Sequence, residues 1–220
     1  MATTSKGKRT QERIYAAASE LIAEQGIEGV TMRAVADRAG LSAGAAYHYV
    51  RGKDELVLGL YAQTQDALGA HAAQVAASGG GLSERLIAMM AGGFQLLAPK
   101  RTLLGHLATA VLAPGSPLSP FAAPTADIRR QAIAHFGQVI GERKDREQLA
   151  ELCWMVWLGM ILFWLHDRTP EQEATQALIH QVVPMFVRAL PLFGSTFFGF
   201  AALARRALID DPPEDAPPPA

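Results

Sequence analysis

The run LCWMVWLGMILFWL, Leu152 to Leu165, constrains the fold of this chain more than any other stretch. A helix built from these 14 residues is apolar all round, so several neighbours must cover it at once. The run falls short of the about 20 residues that a membrane span requires, and Glu151 and His166-Asp167-Arg168 bracket it. The expectation is a buried helix inside a bundle, with no membrane partner. Apolar residues make up 50% of the chain and charged ones 19%, which suffices for such a core and excludes disorder for the bulk of the molecule.

Helical spacing recurs elsewhere, and no alternating run bounded by turn residues interrupts it, so the expected fold class is all-α. From Thr10 to Gln25, Ile14, Ala17, Ala18, Leu21 and Ile22 form one face, and Gly26 supplies the stop. Thr31 is placed to cap a short helix carrying Met32, Val35, Ala36 and Ala39 on one side, which Gly40 closes. Ser42 can cap another through about Val50. The interval between these two short helices is the glycine-containing turn of a helix-turn-helix.

A long helix from Lys53 to about Ala77 ends in the breaker Ser78-Gly79-Gly80-Gly81. Others are expected over 82–98, 100–113, 125–141, 146–166 and 170–190. Thr169-Pro170-Glu171-Gln172 reads as the start of the last, with a cap, a proline in the first turn and a glutamine able to reach back. Pro184 should kink or end it. Ala113 to Pro124 holds four prolines and reads as a loop. Residues 191–209 remain open between an extra helix packed on the body and a partner-facing segment. The expected domains are 1–56, the helix-turn-helix with its basic arm; 57–209, a larger helical body; and 210–220, a disordered acidic, proline-rich tail.

The formal net charge of −1 averages two ends of opposite sign. Lys6, Lys8, Arg9 and Arg13 stand against the single Glu12, whereas Asp210, Asp211, Glu214 and Asp215 stand with no base. Such a basic arm suits a nucleic-acid backbone or minor groove. Cys153 is the one cysteine and has no partner for an internal disulfide, and the first residues lack the apolar core of a secretory signal. The expected compartment is the cytoplasm.

In a helix-turn-helix the second helix enters the major groove while the first crosses the phosphates. Thr31 offers a hydroxyl and helix-terminal N–H groups to a phosphate. Ser42, Ala43 and Gly44 keep the start of the next helix slim enough to approach base edges. Tyr47 and His48 are long enough to reach backbone oxygens or a base, and Lys53 brings an ammonium to another phosphate. Tyr49 remains open between a ring packed on Ile14 and Val35 and a DNA contact, and His48 and Arg33 between surface residues and readers.

The stretch GVTMRAVADRAGLSAGAAYHYVRGKDEL resembles the DNA-binding segment of the TetR family of transcriptional repressors, with Thr31, Ala36, Ala39, Gly40, Ser42, Gly44, Tyr47 and Lys53 all in register. The resemblance covers about Gln11 to Leu60. It implies phosphate contacts from Thr31, Tyr47 and Lys53 and groove-facing roles for Arg33, Ser42, Ala43, Gly44, His48 and Tyr49. Two departures stand out. Ala43 replaces a common polar reader, making apolar contact with a thymine methyl more plausible, and Val50 replaces a phenylalanine.

For the remaining residues the resemblance implies a small-molecule pocket and a homodimer joined through the last two long helices of each subunit. The pocket candidates are Met89, Phe94, Leu97, Leu104, His106, Leu107, Phe136, Trp154, Trp157 and Met160, although closed core is the commoner fate of any one such residue. Their composition points to an apolar or aromatic effector. On the Trp-rich helix, Trp154, Trp157, Leu158, Ile161 and Leu165 form one face and Leu152, Val156, Gly159, Met160 and Phe163 the other. The next helix offers Ala174, Ala177, Leu178, Val182 and Phe186 to the same interface.

His106, His135, His166 and His180 are scattered, so neither a metal nor another cofactor is expected. An enzyme is the competing class, and its foothold is His166 beside Asp167. No phosphate loop, nucleophile elbow or carboxylate cluster accompanies them. The expected function is a ligand-responsive repressor on a palindromic double-stranded DNA operator; an activator, or a regulator answering to a protein partner, is the alternative.

Overall fold

The computed structural model describes residues 5–210. The acidic tail expected over 210–220 and the first residues of the basic arm therefore lie, apart from Asp210 itself, outside the described residues. Among the described residues nine α-helices follow one another and no strand occurs. They are α1 (Ser5–Gly29), α2 (Met32–Arg38), α3 (Ala43–Tyr49), α4 (Lys53–Ala77), α5 (Leu82–Leu97), α6 (Arg101–Leu112), α7 (Ala126–Ile140), α8 (Arg146–His166) and α9 (Glu173–Leu208). The chain is all-α, as its periodicity predicts. Inside α1 the helical path breaks at Gly26, whose φ of 73° and ψ of 165° suit a residue without Cβ.

Contacts divide the chain into two compact units whose bounds cut through three helices: Met1–His71 with Gly92–Gln131, and Ala72–Ala91 with Ala132–Ala220. The first unit is centred on Ile14, Ala18, Ile22, Val30, Val35, Ala36, Ala46, Val50, Leu56 and Val57. Leu103 and Leu107 of α6 belong to this core, because α6 packs along α1. His106 of α6 is exposed, with Nδ1 at 2.7 Å from the Ile22 carbonyl of α1. A carbonyl only accepts, so the Nδ1 proton is the donor. The loop after α6 is held by Thr125, whose hydroxyl donates to the Ser119 carbonyl at 2.7 Å, and by Arg129, which donates to the Pro120 carbonyl at 2.8 Å.

In the second unit α8 is the central helix. Leu149, Cys153, Trp157, Met160 and Trp164 form its most buried stripe, with Ala150 and Trp154 beside them. That stripe runs between the two expected faces. Met160 sits with Trp157 rather than opposite it, Leu158, Ile161 and Leu165 are half-buried, and Gly159 and Phe163 are exposed. Neighbouring side chains decided this, since the helix is apolar in every direction and its pattern names no preferred side. Phe136 of α7 meets Trp157 edge-on, with centroids 6.5 Å apart. By length and composition α8 could cross a membrane, with mean hydropathy 1.6 over its most apolar window, yet the stripe just described is packed against protein.

The start of α9 departs from the expected capping box. Glu171 and Gln172 adopt left-handed φ values of 49° and 53°, Pro170–Gln172 forms a short 3-10 turn, and α9 opens at Glu173. The reason is Asp167. Its Oδ1 accepts from the Thr169 N–H at 2.9 Å and the Thr169 hydroxyl at 2.6 Å; its Oδ2 accepts from the Thr175 N–H at 2.8 Å and the Thr175 hydroxyl at 2.6 Å. A charged acceptor makes stronger bonds than a neutral one and orients both threonines, while the Thr169 hydroxyl oxygen accepts the Ala174 N–H at 3.0 Å and still serves the start of α9. The bonds to Asp167, with the Thr169 hydroxyl first and Thr175 next, hold the carboxyl well below the usual carboxylate range.

Helix α9 continues through Pro184 and bends by 107° between Pro170–Leu192 and Gly194–Leu208. Pro191, at the bend, cannot donate to the Val187 carbonyl, which is the usual origin of a sharp kink.

Candidate nucleic-acid interface

The helix-turn-helix is assembled by local bonds. Thr31 is extended at φ −120° and its hydroxyl oxygen accepts the Ala34 N–H at 3.1 Å, so α2 starts where its cap allows. Gly40, at φ 66°, closes α2, and the Leu41 N–H returns to the Ala36 carbonyl at 2.9 Å. Ser42 then caps α3 by accepting the Ala45 N–H at 3.2 Å. Arg13 of α1 clamps this joint: its guanidinium donates to the Ala39 carbonyl and, at 3.4 Å, to the Gly40 carbonyl.

Helix α3 buries Ala46 and turns Ser42, Gly44, Tyr47 and His48 outward, with Ala43 half-buried. Tyr47 is 51% exposed, high for an aromatic ring. A Cβ added at Gly44 would meet nothing within 4 Å, so nothing in the protomer requires glycine there. Tyr49 is half-buried against the core of the first unit and stands edge-on to His48, ring centroids 5.4 Å apart at 84°. It braces the neighbouring histidine.

The basic side chains divide by what they hold. Arg38 bridges Glu20 at 3.1 Å and Glu24 at 3.0 Å and fixes α2 on α1. Lys53 sends its ammonium to the Ile27 and Glu28 carbonyls at 3.1 and 3.3 Å, tying the first turn of α4 to the end of α1. Arg33 and Arg51 are exposed, and among the described residues neither guanidinium meets a carboxylate. Only the backbone N–H of Arg51 is engaged, by Glu55 at 2.5 Å. Arg51 is the cation that sequence reasoning passed over. Its place three residues after His48 was the available signal.

The expected pocket residues fall in both units. Phe94, Leu97, Leu104, His106 and Leu107 lie in the first, where Leu107 is core, Leu104 half-buried and His106 an exposed anchor of α6. Met89, Phe136, Trp154, Trp157 and Met160 lie in the second and are all buried. Two groups that hydrolytic chemistry could use are committed to structure. Asp167 holds the α8–α9 junction, and burial pushes the Cys153 thiol up to about 12.

Family comparison supplies the wider context. Residues 14–60 match the model of the tetR family of bacterial regulatory proteins, and residues 85–195 match the tetracyclin repressor-like C-terminal domain. A curated relative, the HTH-type transcriptional regulator TtgW of Pseudomonas putida, is 35% identical over 66 residues. That covers 30% of this chain and 49% of the relative, so the match spans about half the relative's length. Among solved structures, a tetR-family regulator from Streptomyces coelicolor is similar at TM-score 0.62 and 22% identity, covering 96% of this chain and 92% of its own. The fatty acid degradation regulator FadR from Bacillus halodurans is similar at 0.63 and 15% identity, covering 79% and 94%. FadR from Bacillus subtilis, in complex with stearoyl-CoA, is similar at 0.62 and 17%, covering 78% and 96%. The two family matches fall on the helix-turn-helix and on the helical body, and the chain belongs to the TetR family of transcriptional regulators.

Proposed function

We propose that this regulator is a homodimeric repressor, held on a palindromic operator until a mostly apolar small molecule releases it in the cytoplasm. The observation that carries the DNA reading is an outward surface on α3 with no packing role: exposed Tyr47 and His48 beside a glycine with empty space above it. Ser42, Ala43 and Gly44 approach base edges, with His48 reading and Tyr49 bracing it. Thr31, Tyr47 and Arg51 meet phosphates, Arg33 faces the groove, and Lys53 keeps one N–H for a phosphate while its other two hold α1. Two such surfaces would enter successive major grooves about 34 to 36 Å apart, or a multiple of that.

The dimer reading draws on apolar side chains that the unit leaves exposed or half-buried. Val156, Leu162 and Phe163 lie on α8, and Leu178, Val182, Met185, Ala189 and Leu192 lie at helical spacing on α9. For the effector, Met89, Phe136, Trp154, Trp157 and Met160 share one unit and offer an apolar, aromatic wall. The FadR neighbours, one of them bound to stearoyl-CoA, make a long-chain acyl compound the first candidate. Release requires the effector to favour a state with the wrong half-site separation, for which a coupling free energy of about 1 to 3 kcal/mol is ordinary. Sequencing the DNA that the purified protein retains from fragmented genomic DNA, with and without acyl-CoA, tests this. Enrichment of palindromic sites that the acyl compound abolishes is expected; retention of no particular sequence would overturn it.

A further inference from the structure

Lys100 is a half-buried cation, and among the described residues its ammonium meets no carboxylate. It ends the short 3-10 turn Ala98–Lys100 between α5 and α6, and it donates to the Thr64 hydroxyl of α4 at 3.3 Å. That hydroxyl already donates to the Leu60 carbonyl at 2.9 Å, so it offers the ammonium a neutral oxygen and no negative charge. The sequence around it supplies no acid either. Helix α6 carries none, α5 has none after Glu84, and α4 beyond Glu55 has only Asp66, which is exposed.

The bond is framed by apolar residues. Leu97 stands one turn before Lys100 and Leu104 one turn after, and Tyr61 and Leu68 stand in the same way around Thr64. Leu68 and Leu97 are buried, Leu104 is half-buried, and burial raises the pKa of the Tyr61 hydroxyl above the ordinary tyrosine value. A charge drawn into such surroundings is costly until an opposite charge meets it. We infer that Lys100, with Thr64 beside it, receives the anionic head of an amphipathic effector whose chain lies along Leu97 and Leu104.

An apolar wall with one or two placed polar groups is the usual plan of a small-molecule site. The head-group site rests on the effector reading above and adds a negative charge to the apolar molecule proposed there. The carboxylate of a free acid and the phosphates of a CoA thioester share that chemistry. Lys100, Thr64, Leu97 and Leu104 all belong to the first unit, where Lys53 ties α4 to α1 and α6 packs along α1. An anion that takes the ammonium from Thr64 therefore acts on the joint between α4 and the turn before α6, and both helices lead to the helix-turn-helix. Differential contact of this kind is what a ligand needs in order to shift a conformational equilibrium.

The test is isothermal titration calorimetry of the full-length wild type, Lys100→Met and Lys100→Arg with decanoate, decanoyl-CoA and decanol. The wild type should bind an anionic probe more tightly than decanol, and the anion with the larger gain, carboxylate or CoA phosphate, names the source. In Lys100→Met that preference should fall about 10-fold or more, the scale of a hydrogen bond to a charged group, and Lys100→Arg should keep most of it. Circular dichroism checks that the variants keep their helix content. If Lys100→Met does not, the wild type and Lys100→Arg decide: both should prefer the anion at low salt, and absence of that preference overturns the site. Decanol bound by the wild type as tightly as both anions overturns it, as does a folded Lys100→Met that keeps the preference. In either case the effector reading stands if a bound probe still releases DNA. Binding of none of the three probes overturns the head-group site and the acyl effector together.

Discussion

The ring of Tyr15 in α1 lies directly on the backbone of Gly59 in α4, so closely that a Cβ on residue 59 would overlap the phenol. Tyr15 is 8% exposed; its hydroxyl accepts from the Gln11 amide at 3.3 Å, and burial raises its pKa above the ordinary tyrosine value. With the Lys53 ammonium on the Ile27 carbonyl, this contact fixes α4 on α1 within the first unit.

Gly59→Ala should therefore destabilise the protein by about 1 to 3 kcal/mol through overpacking. That outweighs the gain of up to about 1 kcal/mol from replacing a mid-helix glycine. Urea unfolding reads the difference. In a background of Tyr15→Leu the same substitution should cost less, and equal cost in both backgrounds would show that the ring is not the obstacle.

Gly44→Ala should behave in the opposite way. The space around residue 44 is empty in the protomer, so alanine raises helix stability by about 0.5 to 1 kcal/mol. On the proposed interface the added methyl stands between α3 and the groove, and affinity for duplex DNA should fall. A thermal melt and a fluorescence-anisotropy titration on one preparation check both signs. Unchanged binding would remove Gly44 from the interface.

The salt dependence of DNA binding separates cations that meet phosphate from cations that hold the fold. Arg51→Ala should flatten the slope of log affinity against log salt by about 0.9 while leaving the melting temperature in place, whereas Arg33→Ala should change sequence preference. Lys53→Met should lower the melting temperature as well, because it leaves the Ile27 and Glu28 carbonyls without their ammonium. A slope unaffected by loss of Arg51 would return that residue to the plain surface.

Asp167→Asn should lower the melting temperature at neutral pH, since the amide cannot replace a carboxylate that accepts four hydrogen bonds. The folded-state pKa of Asp167 lies below its unfolded value. Its contribution is therefore complete above the ordinary aspartate value of about 3.9 and is lost as pH falls toward the lower folded value. The gap between wild type and variant should close on acidification. Melts across that range decide it, and a gap that stays constant would mean that the negative charge is not what the threonines stabilise.

The elements of the helix-turn-helix were legible because their causes are local. Thr31 and Ser42 cap helices through N–H groups three residues on, and Gly40 takes the one backbone conformation that closes α2. Lys53 and Arg146 begin their helices where spacing and breakers place them. Tyr49 could not be assigned from the sequence, since an aromatic ring at that position serves packing or binding equally well; only the first unit's core shows that it is half-buried.

By itself the sequence determined that the chain is helical, where most helices begin, and which short helix presents Tyr47 and His48, because hydrogen bonds and side-chain periods within a few residues settle such matters. Tertiary structure decided the rest: that Leu107 completes the core around α1, that Lys53 closes on a carbonyl 26 residues away, and that the Asp167 carboxylate accepts from both Thr169 and Thr175 at the α8–α9 junction. It also chose the stripe of α8 that turns inward. The physical reason is that an all-apolar helix or a long flexible cation has many acceptable neighbours in sequence, and only the packing of distant segments selects one.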